Sequence, residues 1–282
     1  RSRGITAARA LSVVMAIQGI APVVAPILGG VLVELIGWRG ILGVVAAFTG
    51  LLVLMVIFWV PESLPSERRH DGGLRILLDG TRELARDHVL MRLLVINALT
   101  FGLLMAYLSA APFILRNVLG MGTVTYTAVF GLCGATVTAT IAAAASMVRR
   151  FPQVRQVRVG LAAVLAVDVV FAAVCLTRLR APVEGGERTV LLVVVTALFL
   201  AHVACLGLSL GNAPALALDR TGRWAGTGSA LLGFLQFVVG GLVSPLVGLS
   251  GEASGAAFGV VIVVIGVIAN ALAALGLHGQ VS

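Results

Sequence analysis

Eight runs of continuously apolar residues, each about as long as a bilayer is thick, follow one another along this chain at 10–36, 40–60, 93–115, 124–148, 157–178, 189–217, 225–249 and 255–277. A run of that length is what a membrane-crossing helix needs. Inside hydrocarbon every backbone N–H and C=O must find its partner within the protein, which leaves helices and closed barrels as the possible spanning structures. A barrel strand alternates in polarity over about ten residues, whereas these runs are apolar throughout. The chain is therefore read as an all-α integral membrane bundle.

Charge placement sets an expected orientation. All 20 basic side chains are arginine, and 15 of them fall in the segments that share a side with both ends of the chain. By the positive-inside bias these loops and both ends are cytoplasmic, and the protein is a multi-pass component of the plasma membrane. The net charge of +8 thus reports topology, and no nucleic-acid partner is expected. Mean hydropathy is +1.08 and only 11% of residues are charged, less than half the fraction usual in soluble domains.

The one long polar segment is PESLPSERRHDGGLRILLDGTRELARDHVLMR, between the second and third spans. Its second half, RILLDGTRELARDHV, suits a short helix lying on the membrane surface with its charged face solvated. The segment divides the chain into residues 1–62, a cytoplasmic loop at 63–92, and residues 93–282. The other connections are short and make neighbouring spans antiparallel.

The first span contains GIAPVVAPILGG at 19–30. At helical spacing Gly19, Pro22, Pro26, Gly29 and Gly30 fall within about a third of the circumference. Close packing over small residues holds helices together in lipid, and a proline within a span bends it. This face is expected to press against another helix. Gly226, Gly233, Gly240, Ser244 and Gly248 repeat the device in the seventh span, and SPLVG at 244–248 matches APILG at 25–29.

GIAPVVAPILGG, followed by GWRG and PESLP, resembles helices five and six and the central loop of the major facilitator superfamily. In detail it is similar to the drug-efflux branch of Bcr/CflA (bicyclomycin resistance) type. LSAAPFILRNVLGM at 108–121 and GNAPALALDRTGRWAGTGSALLGFLQFVVGG at 211–241 resemble that branch's seventh helix and its tenth-to-eleventh helix segment. The resemblance implies a bundle in which eight of an expected twelve helices are present, namely five to twelve. Residues 1–62 then hold the last two helices of the N-terminal half and 93–282 the six-helix C-terminal half. It also implies a monomeric antiporter of drug-like molecules and protons, with the 19–30 face as an interface and gating motif. MVRRFPQVRQVR at 147–158 stands where the second copy of the superfamily's basic cytoplasmic motif would be, but lacks its leading glycine and aspartate. A transporter of a metabolite or sugar on the same fold, or a non-transporting structural membrane protein, remain the alternatives.

Two residues inside spans carry chemistry suited to proton coupling. Asp168 is a carboxylate near the middle of a span, where an ionisable group is costly and a functional role is the default reading. The resemblance puts it on the peripheral ninth helix, where the competing reading is a neutral or locally paired aspartate. His202, on the implied tenth helix, is either a proton relay or a hydrogen-bonded structural residue. Gln18, Asn97, Tyr107, Asn212 and Gln236 are candidates to line a substrate cavity, apolar with few polar groups, or else to bond between helices.

No catalytic residue, metal site or cofactor is expected. Gly207-Leu208-Ser209-Leu210-Gly211 spells a serine-hydrolase pattern, but that pattern needs a strand-to-helix turn and here lies in an apolar helix. Cys133, Cys175 and Cys205 share no ligand spacing. Lysine is absent and no phosphate-binding loop occurs, so the chain is not expected to use ATP.

Overall fold

The computed structural model describes residues 5–59, 74–183, 185–251 and 254–276; at 5–27, 30, 31, 74–76 and 276 the backbone alone is described. Among these residues the secondary structure is helical throughout. Among the described residues seven helical stretches are long and apolar enough to cross a membrane, from Leu32–Trp59 to Ala256–Leu275. The chain forms two compact units, 1–78 and 79–282.

The first unit is dominated by α1 (Ile5–Trp59), in which two helices meet at Gly37 with φ 66 and ψ 173. A left-handed φ suits glycine because it has no Cβ. The break falls between the two apolar runs expected at 10–36 and 40–60. The backbone stays helical through Pro22 and Pro26. From Val33 onward the apolar side chains of α1 are mostly exposed, as Leu35, Phe58 and Trp59 illustrate, which suits a lipid environment.

The boundary at 78 falls within α2 (Leu74–Ala85), a short amphipathic helix of the kind the polar segment's second half suggested, whose later turns open the second unit. Helix α2 is followed by α3 (His88–Pro112), α4 (Thr123–Met147), α5 (Gln153–Arg178) and α6 (Glu187–Leu210). The short α7 (Asn212–Asp219), α8 (Ala225–Val247) and α9 (Ala256–Gly276) complete it. After Pro112, which cannot donate a backbone hydrogen bond, the chain continues as a π-helical turn over Phe113–Val118, with Leu119 N–H donating to Ile114 O at 3.0 Å.

Glycines set how closely these helices approach. A Cβ on Gly102 of α3 would stand 2.9 Å from Val239 of α8, and one on Gly240 of α8 would stand 2.8 Å from Met105 of α3. Gly259 of α9 lies against Ala172 Cα at 3.0 Å by the same measure. These are close-packed seams of the kind lipid-embedded helices rely on. Of the glycine and serine stripe expected on α8, Gly240 and Ser244 make contacts to α3, the latter through Ser109 Oγ at 3.0 Å. A Cβ at Gly226, Gly233 or Gly248 would meet no atom of the unit within 4 Å.

Both ends of the second unit are laced by polar contacts. At one end Arg188 Nε donates to Leu119 O at 2.8 Å and Nη2 donates to Gly120 O; Gly255 N–H donates to Leu179 O at 2.7 Å. At the other, Asp87 caps α3 by accepting from the N–H groups of Val89 and Leu90 at 2.9 and 3.1 Å, and pairs with Arg220 at 2.9 Å. Glu83 pairs with Arg223 at 2.6 Å, and Trp224 lies over Gly80. These contacts join the α2–α3 corner to the α7–α8 turn.

Burial works to raise the Asp87 carboxyl, but the Leu90 N–H, the Arg220 guanidinium and the Val89 N–H outweigh it and hold the group below its ordinary value of 3.8. Hydrogen bonding from Arg223 lowers the Glu83 carboxyl in the same way. A depressed folded-state pKa contributes stability above the unfolded value and loses it as pH falls through the folded one. Asp87→Ala should therefore cost about 1 to 2 kcal/mol at pH 7, the sum of a lost cap and a half-exposed ion pair. Melting in detergent should show this deficit at neutral pH and see it shrink as pH falls below 4. A deficit independent of pH would refute the ion-pair part. Asp87→Asn should keep most of the cap.

Candidate functional site

Asp168 and His202 are 34 residues apart in sequence and meet inside the second unit. The hairpin between α5 and α6 explains how. It turns at Gly185, whose φ of 77 is left-handed, and Gly185 lies midway between the two residues, so antiparallel helices bring them to one depth. His202 Nδ1 lies 2.6 Å from Asp168 Oδ1, and both side chains are fully buried.

The second ring nitrogen of His202 points to α3, where Leu103 O lies 3.4 Å from Nε2. A carbonyl accepts only, so this contact is a hydrogen bond in the tautomer whose Nε2 carries the hydrogen. In that tautomer Nδ1 and Oδ1 share one further proton, either as imidazolium and carboxylate or as neutral imidazole and carboxylic acid. Both forms are neutral overall. Removing the shared proton leaves a buried negative charge facing an imidazole lone pair, and adding one leaves a buried positive charge.

Asp168 Oδ2 has no hydrogen-bond partner although it is buried. Gly266 of α9 faces it, and a Cβ there would lie 3.8 Å away. The free oxygen leaves hydrogen-bonding capacity unused inside the unit. One turn further along, Phe171, Phe199, Phe258 and Tyr107 pack edge to face, with Phe171 and Phe199 centroids 4.8 Å apart and Tyr107 to Phe199 5.4 Å. All four rings are buried beside the pair.

The other residues singled out from sequence divide into groups. Asn97 and Gln236 are brought together across α3 and α8, Oδ1 of the first 3.5 Å from Nε2 of the second, and Asn97 Nδ2 is buried with no hydrogen-bond partner. Tyr107 is buried and stacks on Phe130 of α4 at 5.7 Å. Asn212 lies elsewhere, at the joint between α6 and α7, where its amide donates to Gln156 Oε1 at 3.1 Å and to Leu208 O at 2.8 Å. Gln18, Gly19, Pro22, Pro26 and Gly30 lie outside the residues whose side chains are described. A Cβ at Gly29 would meet no atom of its own unit within 4 Å.

Sequence reasoning missed Gln156, which joins the α6–α7 joint to Phe151 O at 2.9 Å. The adjacent break in α6 at Gly211 and the following Pro214 were its signal. The pairing of Asp168 with His202 was missed as well; the signal that could have found it is their equal distance from Gly185. Gly207 to Gly211 lie in and at the end of a helix, and Ser209 Oγ donates to Val157 O at 3.3 Å. No strand-to-helix elbow is formed.

Residues 6–245 match the Major Facilitator Superfamily. The chain belongs to that superfamily. Against individual members of the superfamily, it is 29% identical over 268 residues to an uncharacterized MFS-type transporter, YdgK, of Bacillus subtilis (strain 168), covering 94% of this chain and 63% of that protein. It is 25% identical over 239 residues to a bicyclomycin resistance protein homolog of Haemophilus influenzae, covering 85% of this chain and 57% of that one. A 61-residue stretch is 46% identical to the purine ribonucleoside efflux pump NepI of Escherichia coli O127:H6, covering 22% of the chain and 14% of the pump. The chain thus spans about 60% of the length of the first two relatives.

Proposed function

We propose that the protein is part of a drug-efflux transporter of Bcr/CflA type, exchanging drug-like molecules for protons across the plasma membrane by alternating access. Superfamily membership supports transport, and two relatives named for bicyclomycin resistance and for efflux support export. The observation that carries the proton half is the buried Asp168–His202 pair with its free Oδ2. A buried carboxylate that gains or loses a proton changes the charge inside the bundle, and the contact to Leu103 O transmits that change to α3. Asn97 and Gln236 are the proposed polar contacts for substrate on α3 and α8, with Gln18, Tyr107 and Asn212 as further candidates; the Gly19, Pro22, Pro26, Gly29 and Gly30 face is the proposed seal.

The test is transport by the full-length protein in liposomes, with ethidium as the lipophilic probe. An imposed proton gradient should drive movement by the native protein. Asp168→Asn and His202→Asn should abolish the gradient-driven component, while probe binding and probe–probe exchange persist and the pH profile of exchange flattens. Gradient-driven transport at native rates in both variants would overturn the assignment. Parallel loss of binding, exchange and abundance would make the pair structural and overturn it equally. A second reading, a metabolite exporter on the same fold, takes support from the nucleoside pump relative; it requires that purine nucleosides, rather than ethidium, drive counter-exchange.

A further inference from the structure

A cleft of about 510 Å³ opens between α5 and α9, lined by Arg155, Arg158 and Ala162 on one side and Asn270, Ala273 and Ala274 on the other. The spacing explains it. Residues at three, four and seven along each helix share a face, and Ala162 on α5 with Ala273 and Ala274 on α9 keep the facing sides slim.

Charge is confined to the mouth of the cleft. Arg155 and Arg158 stand on the first two turns of α5, at the end of the unit where Asp87 meets Arg220 and where Arg92 Nη1 donates to Leu275 O at 3.3 Å. Arg155 lies over the Phe151 ring at 5.5 Å, and neither arginine has an acidic partner among the described residues. Deeper in, Ala162 is exposed, as are Val159 and Val169 on the same helix. Asn270 spends its amide hydrogens on Leu161 O and Gly266 O, at 2.9 and 2.8 Å, and so presents its own carbonyl oxygen.

Two guanidinium groups with no acidic partner among the described residues, at the boundary of an apolar span and above a groove walled largely by apolar residues, match a molecule with an anionic head and a hydrocarbon tail. We propose that this cleft is a binding site for an anionic phospholipid, with its phosphate on Arg155 and Arg158 and an acyl chain along Ala162 and Ala273. Basic pockets between membrane helices recognise such headgroups through charge, and guanidinium forks suit phosphate oxygens. The occupant would fill a gap between α5, which carries Asp168, and α9, whose Gly266 faces the free Oδ2 of that residue. A lipid seated there would therefore hold the two helices that enclose the proposed proton site.

The experiment is native mass spectrometry of the full-length protein in detergent, titrated with phosphatidylglycerol or with phosphatidylcholine of the same chains. Phosphatidylglycerol should be retained preferentially. Arg155→Gln and Arg158→Gln should each weaken its retention about 5-fold and together about 30-fold, whereas Arg155→Lys with Arg158→Lys should keep most of the preference. Ala162→Phe, which fills the groove and leaves the charge in place, should displace the lipid as well. Inorganic phosphate at millimolar concentration should not compete. Equal retention of the two lipids, an unchanged double glutamine variant, retention by Ala162→Phe, or displacement by free phosphate would each overturn the proposal. Because the readout is lipid mass, it is independent of whether Asp168 and His202 carry protons.

Discussion

Replacing Gly207 with alanine should sharply destabilise the second unit, and replacing Thr140 with alanine in the same chain should restore most of what was lost. A Cβ added at Gly207 of α6 would run into the Thr140 side chain of α4, 2.7 Å from its Cβ, and would stand 3.1 Å from Val137 O. Rotating Thr140 aside would break the hydrogen bond of its hydroxyl, whose one proton is shared between Val137 O at 2.9 Å and Thr136 O at 3.0 Å. The opposite side of α6 is closed as well: a Cβ on Gly160 of α5 would lie 2.8 Å from Ser209 Oγ and 3.1 Å from Cys205 O. Helix α6 is held between two backbones and has no direction in which to yield.

Overpacking of a tight core costs about 1 to 3 kcal/mol per inserted group. In lipid the loss bears on packing that nothing else replaces, since apolar side chains gain little from leaving one helix face for hydrocarbon. Gly207→Ala should thus lie at the upper end of that range, and Gly207→Leu should leave little monodisperse protein. The measurements are melting in detergent and yield after size exclusion. Full stability of Gly207→Ala, or failure of Thr140→Ala to rescue it, would show that the α4–α6 seam is not the limiting contact. The same seam lies beside the α6–α7 joint, where Ile141 Cγ2 sits 3.2 Å from the Cβ position of Gly211.

Periodic and compositional signals carried well into structure because they act locally. The apolar runs become helices, since lipid leaves the backbone no other partner. Gly37 marks the break between the first two, and Asp87, ahead of an apolar run, becomes the cap of α3. The amphipathic half of the polar segment becomes α2. What the sequence conceals is which lateral neighbours meet. Asp168 looked peripheral because a helix's place in a family says where its axis runs and not which face turns inward; the side chain is fully buried against His202. The free Oδ2 is invisible to any pattern, for it depends on α9 presenting a glycine at 266. Asn212 stands at a break in its span, where freed groups need partners, and its amide hydrogens go to Leu208 O and Gln156 Oε1, a bond between helices of the kind its sequence position allowed beside a cavity role.

The glycine and proline face of the first span gives the prediction with the largest effect on transport. The backbone is helical from residue 5 to the break at Gly37, so the spacing that gathers Gly19, Pro22, Pro26, Gly29 and Gly30 on one side applies. Helices in lipid gain most where small residues let backbones approach, and a transporter that alternates between two closures needs such an approach where its halves meet. Gly29→Leu in the full-length protein should therefore hold the proposed seal open. A side chain inserted into a tight helix contact costs about 1 to 3 kcal/mol, and 1.4 kcal/mol shifts a two-state equilibrium tenfold. Drug resistance in cells should fall on the order of tenfold, with a rise in membrane proton leak and little change in abundance, since leucine is at home in a span. Leucine at Ala21, about 80° outside the stripe at helical spacing, should change none of the three appreciably. Equal resistance and equal leak for the two variants at matched abundance would remove the sealing role and leave the stripe as an ordinary packing face.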